Sequence, residues 1–308
     1  KEAFDRLVAA TDEQGKIEKA YESVPLSTVS RREEIEKNLP EAPDFTGDKG
    51  IKLEDVANNR ATLAGFTAQL EDVELEALCR GDYVMNSKLG TPGNAAVYGG
   101  ILESLREKGV PPVTATDGPS GIRLHSYASL LPIGTLLAST WNQQLVRELY
   151  ALEGAEMARK GSDVLLAPGM NIHRNPLCGR SFEYYSEDPL VTGRIAASVV
   201  CGVQECGVGA TIKHFAANST EYRRLQSDSY ISGRALREIY MRGFEIAIKE
   251  ASPYAIMTSY NFINGTKVPE YGTICREIMR DEFGYCGMLV TDWENNSVHV
   301  RELAAGHD

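Results

Sequence analysis

Gly287-Met-Leu-Val-Thr-Asp-Trp293 is the stretch that decides the fold. A short apolar run, bounded by a glycine and by a carboxylate with an indole, has the length and composition of a strand buried on both faces. Strands of that kind belong to parallel sheets. A carboxylate at the carboxyl end of one, here Asp292, stands where α/β barrels keep their reactive groups.

Upstream, apolar runs at 113–116, 164–167, 210–213 and 255–259 alternate with helical periods at 101–108, 141–160, 190–206, 233–250 and 275–283, and a helix opens at 298–305. A run at 131–137 counts as a further strand, which brings the total to about six of the eight that a barrel needs. This alternation implies a parallel sheet with right-handed crossovers, either open and doubly wound or closed into a barrel. No glycine-rich phosphate loop follows a strand, which disfavours the nucleotide-binding open sheet. The expected fold is α/β, a (β/α)8-type TIM-like barrel, irregular or lacking its last strands in this chain. Gly306-His307-Asp308 reads as the opening of the next strand.

Residues 1–60 differ from the rest. They are rich in Glu, Lys and Asp, poor in apolar periodicity, and punctuated by Pro40, Pro43, Gly47 and Gly50. They read as an N-terminal arm and linker, with a charged helix at 31–38 and a linker at 39–50, leaving 61–308 for the barrel domain. Within the latter, 67–79 carries Leu70, Val73, Ala77 and Leu78 at helical spacing, and 80–100 has the Gly and Pro content of an irregular loop.

The chain has 308 residues, a formal net charge of −11 and 43% hydrophobic residues, enough for a substantial core. That charge disfavours nucleic acid and anionic membrane as partners. No apolar run reaches the ~18 residues of a membrane span, and the first ten residues lack a signal core. Six scattered cysteines without paired spacing fit reduced thiols, hence a cytoplasmic location. The chain does not begin with Met and reads as a fragment or processed product.

Polar residues follow each strand: Asp117 to Arg123 after the first, Pro168 to Arg174 and on through Arg180 and Glu183 after the second, Lys213-His214 after the third, Ser259-Tyr260-Asn261 after the fourth. All would converge on one barrel mouth. Asp117, Arg123, Arg180, Lys213, His214 and Asp292 supply donors and acceptors for a molecule covered in hydroxyls, and Trp293 and Tyr260 supply flat faces. That combination describes a carbohydrate pocket. Taken singly, Arg180 or Glu183 reads equally as an ion-pair member, Trp293 as packing, and Lys213-His214 as a buried polar network.

The strings TDGPSGIR, APGMNIHRNPLCGRSFEYYSEDP, TIKHFAAN, MTSYNFING and LVTDW, in that order, resemble glycoside hydrolase family 3. The resemblance implies a barrel paired with an α/β sandwich domain and no metal or organic cofactor. It implies Asp292 as nucleophile, with Asp117, Arg123, Arg180, Lys213 and His214 holding sugar hydroxyls, Tyr260 beside the nucleophile, and Met257 and Trp293 lining the pocket. Thr291 departs from the family's commoner Ser. The function implied is a retaining exo-acting β-glucosidase acting on β-glucosides or short gluco-oligosaccharides. Its acid/base Glu would come from the sandwich domain or a second chain, upstream of Lys1 in an inverted domain order.

Other readings are a non-catalytic sugar-binding or scaffold fragment, a Schiff-base lyase using Lys213, and other family specificities. A β-xylosidase is disfavoured by the Asp117-Gly-Pro pattern. A β-N-acetylhexosaminidase is disfavoured because KHFAANSTEYRR lacks the Pro-Gly and later Asp-Ser-His of that subgroup.

Overall fold

The structure, a computed structural model, describes residues 5–23, 30–39 and 44–308. Part of the expected linker, at 40–43, lies outside the described residues.

Strands β1 (Asp5–Thr11) and β2 (Ile17–Ser23) form an antiparallel hairpin that the acidic composition of the arm conceals. Its turn is set locally: Asp12 Oδ1 accepts from Gln14 N (3.0 Å) and Lys16 N (2.8 Å), and Gly15 takes φ 80°. Helix Arg31–Asn38 follows, started by Ser30, whose hydroxyl accepts from Glu33 N, and it packs on helix His299–Ala305.

The expected helix at 67–79 is two helices, Leu63–Ala68 and Asp72–Arg80. Glu71 ends the first pattern because it caps the second: its backbone N–H is held by the Glu74 carboxylate at 3.0 Å. Val73, counted on the apolar stripe, is 56% exposed, whereas Phe66, Leu70 and Ala77 are buried in a small core with Leu105 and Val110.

The main sheet has six strands in the order β11, β8, β6, β5, β4, β3, with β3 (Ala96–Gly99), β4 (Pro112–Asp117), β5 (Val164–Leu166), β6 (Gly209–Phe215), β8 (Ala255–Thr258) and β11 (Met288–Thr291). All neighbours are parallel except β3, which runs antiparallel to β4. A small second sheet joins β7 (Asp228–Ser229), β9 (Phe262–Ile263) and β10 (Thr266–Lys267). Two expectations are corrected here. The region 80–100 is not all loop, since it holds β3, and 131–137 is not a strand, because Gly134–Ser139 is helical.

The sheet curls. Ala96 and Tyr98 of β3, Val113 and Ala115 of β4, Val164 and Leu166 of β5, Met257 of β8 and Val290 of β11 share one apolar cluster with Ala95 and Trp293. Side chains from strands at opposite ends of an open flat sheet do not meet; here the strand-lined interior of a half-barrel brings them together. The alternate residues Leu165, Ala210, Ile212, Ile256 and Leu289 face outward into the large core under the helices.

Those helices pack closely because glycine permits it. On Pro189–Gln204, a side chain at Gly202 would meet Arg147 O at 2.3 Å, and one at Gly193 would meet Ile246 Cβ at 2.7 Å. The helix thereby seats between Gln143–Lys160 and Arg242–Ala251. Beyond β11, Asp308 exchanges hydrogen bonds with Leu289, its Oδ2 accepting from Leu289 N at 2.7 Å. No helix among the described residues is long and apolar enough to cross a membrane, and all six cysteines are free.

Candidate active site

Side-chain alternation fixes which polar groups enter the barrel. Val113 and Ala115 point inward, so Asp117 at the end of β4 does too; Val290 points inward, so Asp292 follows it. On β6 the outward Ala210 and Ile212 leave Lys213 inward, at the level of Met257 and Val290. One residue breaks the rule. Lys213 pairs with Met257 and Phe215 with Thr258, so His214 is an extra residue in a bulge, re-aimed out of the alternation. The peptide bonds flanking this turn, Lys213–His214 and Phe215–Ala216, are cis, as is Ala167–Pro168.

The charges are paired around the rim. Lys213 Nζ donates to Asp117 Oδ1 at 2.8 Å and Arg123 Nη1 to Asp117 Oδ2 at 3.0 Å. Burial pushes the Asp117 carboxyl up, but the ammonium of Lys213, with Arg123 and Arg180, outweighs it and holds the group below its usual range. Arg180 donates to Glu183 Oε1 at 2.6 Å and to His214 Nε2 at 2.9 Å. Arginine offers donors only, so His214 Nε2 carries no proton, and the ring proton sits on Nδ1, 3.2 Å from the Tyr184 hydroxyl. Burial, together with Arg180, Lys213 and Arg224, drives the imidazole well below its ordinary value, in keeping with a neutral ring. Asn171 clasps the bulge from the side, accepting from His214 N at 2.9 Å and donating to His214 O at 2.8 Å.

Asp292 is buried at 8% exposure. Its Oδ1 accepts from Trp293 N at 2.8 Å. Its Oδ2 lies 3.6 Å from His214 Nε2 and has no hydrogen-bond partner. Because the ring is neutral, this is a close approach and not an ion pair. Burial raises the Asp292 carboxyl above its ordinary value against the pull of Lys213, the Trp293 N–H, the Tyr260 hydroxyl and Arg180. Tyr260 donates to Trp293 O at 2.5 Å and lies under the Arg224 guanidinium, 4.5 Å from its ring centre. Trp293 Nε1 donates to Ala95 O at 3.2 Å, tying the end of β11 to the start of β3.

The nine residues named from the sequence therefore meet, although Arg123 is largely exposed. Four others complete the site without having been singled out: Asn171, Tyr184, Asn218 and Glu221. Asn218 donates to the Tyr184 hydroxyl at 3.1 Å and to Glu221 Oε1 at 3.0 Å, and Glu221 is paired with Arg224. The only signal was their place in quoted strings after β5 and β6: Asn171 and Tyr184 in APGMNIHRNPLCGRSFEYYSEDP, Asn218 and Glu221 in KHFAANSTEYRR.

A model of the glycosyl hydrolase family 3 N-terminal domain matches residues 95–304. The chain belongs to glycosyl hydrolase family 3. This family 3 chain is 46% identical to the β-glucosidase of Ruminococcus albus over 279 residues, which cover 90% of the chain and 29% of that protein. It superposes on the β-glucosidase of Paenibacillus barengoltzii with a TM-score of 0.90 at 45% identity, over 100% of this chain and 35% of that one. With β-glucosidase 3B of Thermotoga neapolitana, solved in complex with glucose, the TM-score is 0.72 at 40% identity, over 77% and 34% of the two chains. The chain thus spans about a third of the length of these family 3 relatives.

Proposed function

We propose that the protein carrying this chain is a retaining, exo-acting β-glucosidase in which Asp292 is the nucleophile. The observation that carries this reading is the second Asp292 oxygen, buried and unpartnered beside a neutral His214 and within reach of the Lys213 and Arg180 charges. In the first step Oδ2 bonds to the anomeric carbon as the bond to the aglycone oxygen breaks and that oxygen takes a proton. In the second, water attacks the same carbon and releases Asp292. Asp117, Arg123, Arg180, Lys213 and His214 hold the glucosyl hydroxyls, and those hydrogen bonds tighten as the ring acquires oxocarbenium character. Met257, Tyr260 and Trp293 line the walls.

Retention requires a second carboxyl about 5 to 5.5 Å from the first. Among the described residues, the nearby carboxylates are committed to cations: Asp117 to Lys213, Glu183 to Arg180, Glu221 to Arg224. We therefore assign the proton donor to a Glu outside these 308 residues, on a sandwich domain or a second chain, with residues 1–60 as the linking arm. The remaining barrel strands are assigned to the same additional sequence. The chain's coverage of 29% of its Ruminococcus relative supports both assignments.

The test is mechanism-based labelling of the full-length protein with a 2-deoxy-2-fluoro-β-glucoside, followed by peptide mass spectrometry. An adduct on the peptide containing Asp292 is expected. An adduct on another carboxylate, or turnover with inversion of configuration, overturns the proposal.

A further inference from the structure

Helix Gln143–Lys160 presents a row of polar side chains to the loop at 117–131, which carries Asp117 and Arg123. Tyr150 donates its hydroxyl to Pro119 O at 2.7 Å. Glu156 accepts from Ser129 N at 3.2 Å, and Lys160 donates to Tyr127 O and pairs with Glu156 at 3.1 Å. The loop is also closed on itself, through Arg123 N to Asp117 O (2.8 Å) and Leu131 N to Ser120 O (3.1 Å). In the same row stands Glu153, 3% exposed, with both carboxyl oxygens lacking a hydrogen-bond partner. The mechanism above makes no use of it.

A buried carboxylate with no cation is the least stable way to fill such a position, whereas a carboxylic acid, with a donor as well as an acceptor, is tolerated. Near Glu153 are Tyr150 and Glu156 of its own helix and Tyr185 from the segment after β5. The loop contributes the Gly121 N–H, and its charged members Asp117 and Arg123 are paired with each other. On the other side, helix Pro189–Gln204 packs its backbone at Val203 against Gly154, and its one cation, Arg194, is paired with Glu250 at 3.0 Å. We propose that Glu153 is a positioning residue for the loop 117–131: as a neutral acid it lets the loop sit closed, and when ionised it draws in water and releases the grip of Asp117 and Arg123. This rests on reading that loop as a sugar-binding element.

Burial first, and then the neighbouring Glu156 charge, push the Glu153 carboxyl up to about 8, against the pull of the Gly121 N–H. At pH 9 about one molecule in ten then keeps the proton, so the apparent affinity for substrate falls about tenfold relative to pH 7.

The experiment compares the full-length protein with its Glu153→Gln and Glu153→Leu variants. It measures kcat and KM for an aryl β-glucoside, and amide hydrogen exchange at 118–131 corrected for the intrinsic pH dependence, both from pH 6 to 9. Expected is a rise in KM of about tenfold at nearly constant kcat in the parent, with parallel loosening of the loop amides, and a flat response in both variants. A purely structural role lowers stability in the variants but leaves the alkaline rise in place, and that result overturns the proposal. If Glu153→Gln does not fold, Glu153→Leu decides. If the full-length protein turns over no β-glucoside, the functional reading fails while the exchange data still judge the loop switch. PH-independent exchange of the loop amides sinks it.

Discussion

The two ends of the same strands have opposite characters. At the carboxyl ends, buried charges stand in pairs that constrain one another: Asp117 with Lys213, Glu183 with Arg180, and Asp292 with one oxygen unmatched. At the amino ends of β8 and β11, a recess of about 550 Å³ opens between Ile248, Pro253, Tyr254, Tyr285, Cys286 and Met288. Several of its polar atoms are paired: Tyr285 shares its one hydroxyl proton between Tyr254 O (3.2 Å) and Met288 O (2.9 Å), and Arg280 donates to Gly287 O. Space alone does not mark a site. The recess has no carboxylate in its lining, whereas the mouth holds Asp292 with a buried, unpartnered oxygen.

The difference is broken most directly at Asp292. Asp292→Ala in the full-length protein is expected to lower kcat for an aryl β-glucoside by roughly 100,000-fold, with the fold intact by circular dichroism. Near-normal turnover would return the two ends to equal standing. Lys213→Met comes next. It strips Asp117 of its main counter-charge and removes a donor from the mouth, so kcat/KM should fall by about a hundredfold or more, and stability by about 3 kcal/mol in urea titration.

A smaller effect is set by pH. Buried His214 and His307 both resist protonation, His307 down to about 3, through burial first. The unfolded chain takes up protons below the ordinary value of 6.5 that the folded chain refuses, so their contribution to stability is present above that pH and lost as pH falls. For His307, the loss between pH 6.5 and 5 is about 1 to 2 kcal/mol. A His307→Gln variant with an unchanged slope of stability against pH in this window would contradict it. Smallest is Tyr285→Phe at the quiet end. It loses one buried hydroxyl, with an expected cost of about 1 kcal/mol in unfolding free energy and kcat/KM within twofold of the parent.

The mouth was legible for a simple reason. Alternation along β4, β6 and β11 carries Asp117, Lys213 and Asp292 inward from apolar neighbours that any reader can count. Which residues gather could be read this way; the part each plays in chemistry is proposed. Where period failed, local chemistry had won. The run at 131–137 has the apolar content of a strand but carries Pro132 at its second position and becomes the helix Gly134–Ser139, whose Gly134 lies where a side chain would meet Glu183 O at 2.0 Å. β3 was hidden by its length of four residues and its glycine end. Glu153 was invisible because a lone Glu on an amphipathic helix reads as a solvated face, and only tertiary packing against its neighbours makes it buried.

The bond from Trp293 Nε1 to Ala95 O joins residues 198 positions apart in sequence. A contact of that span formed early pays a closure entropy that the intervening strands and helices have not yet offset, so it is expected late in folding. The backbone N–H of the same tryptophan holds Asp292 Oδ1. The residue that seats Asp292, the proposed nucleophile, is thus anchored by a contact expected late in folding, and a polypeptide that stalls before it is expected to be compact, helical and inert.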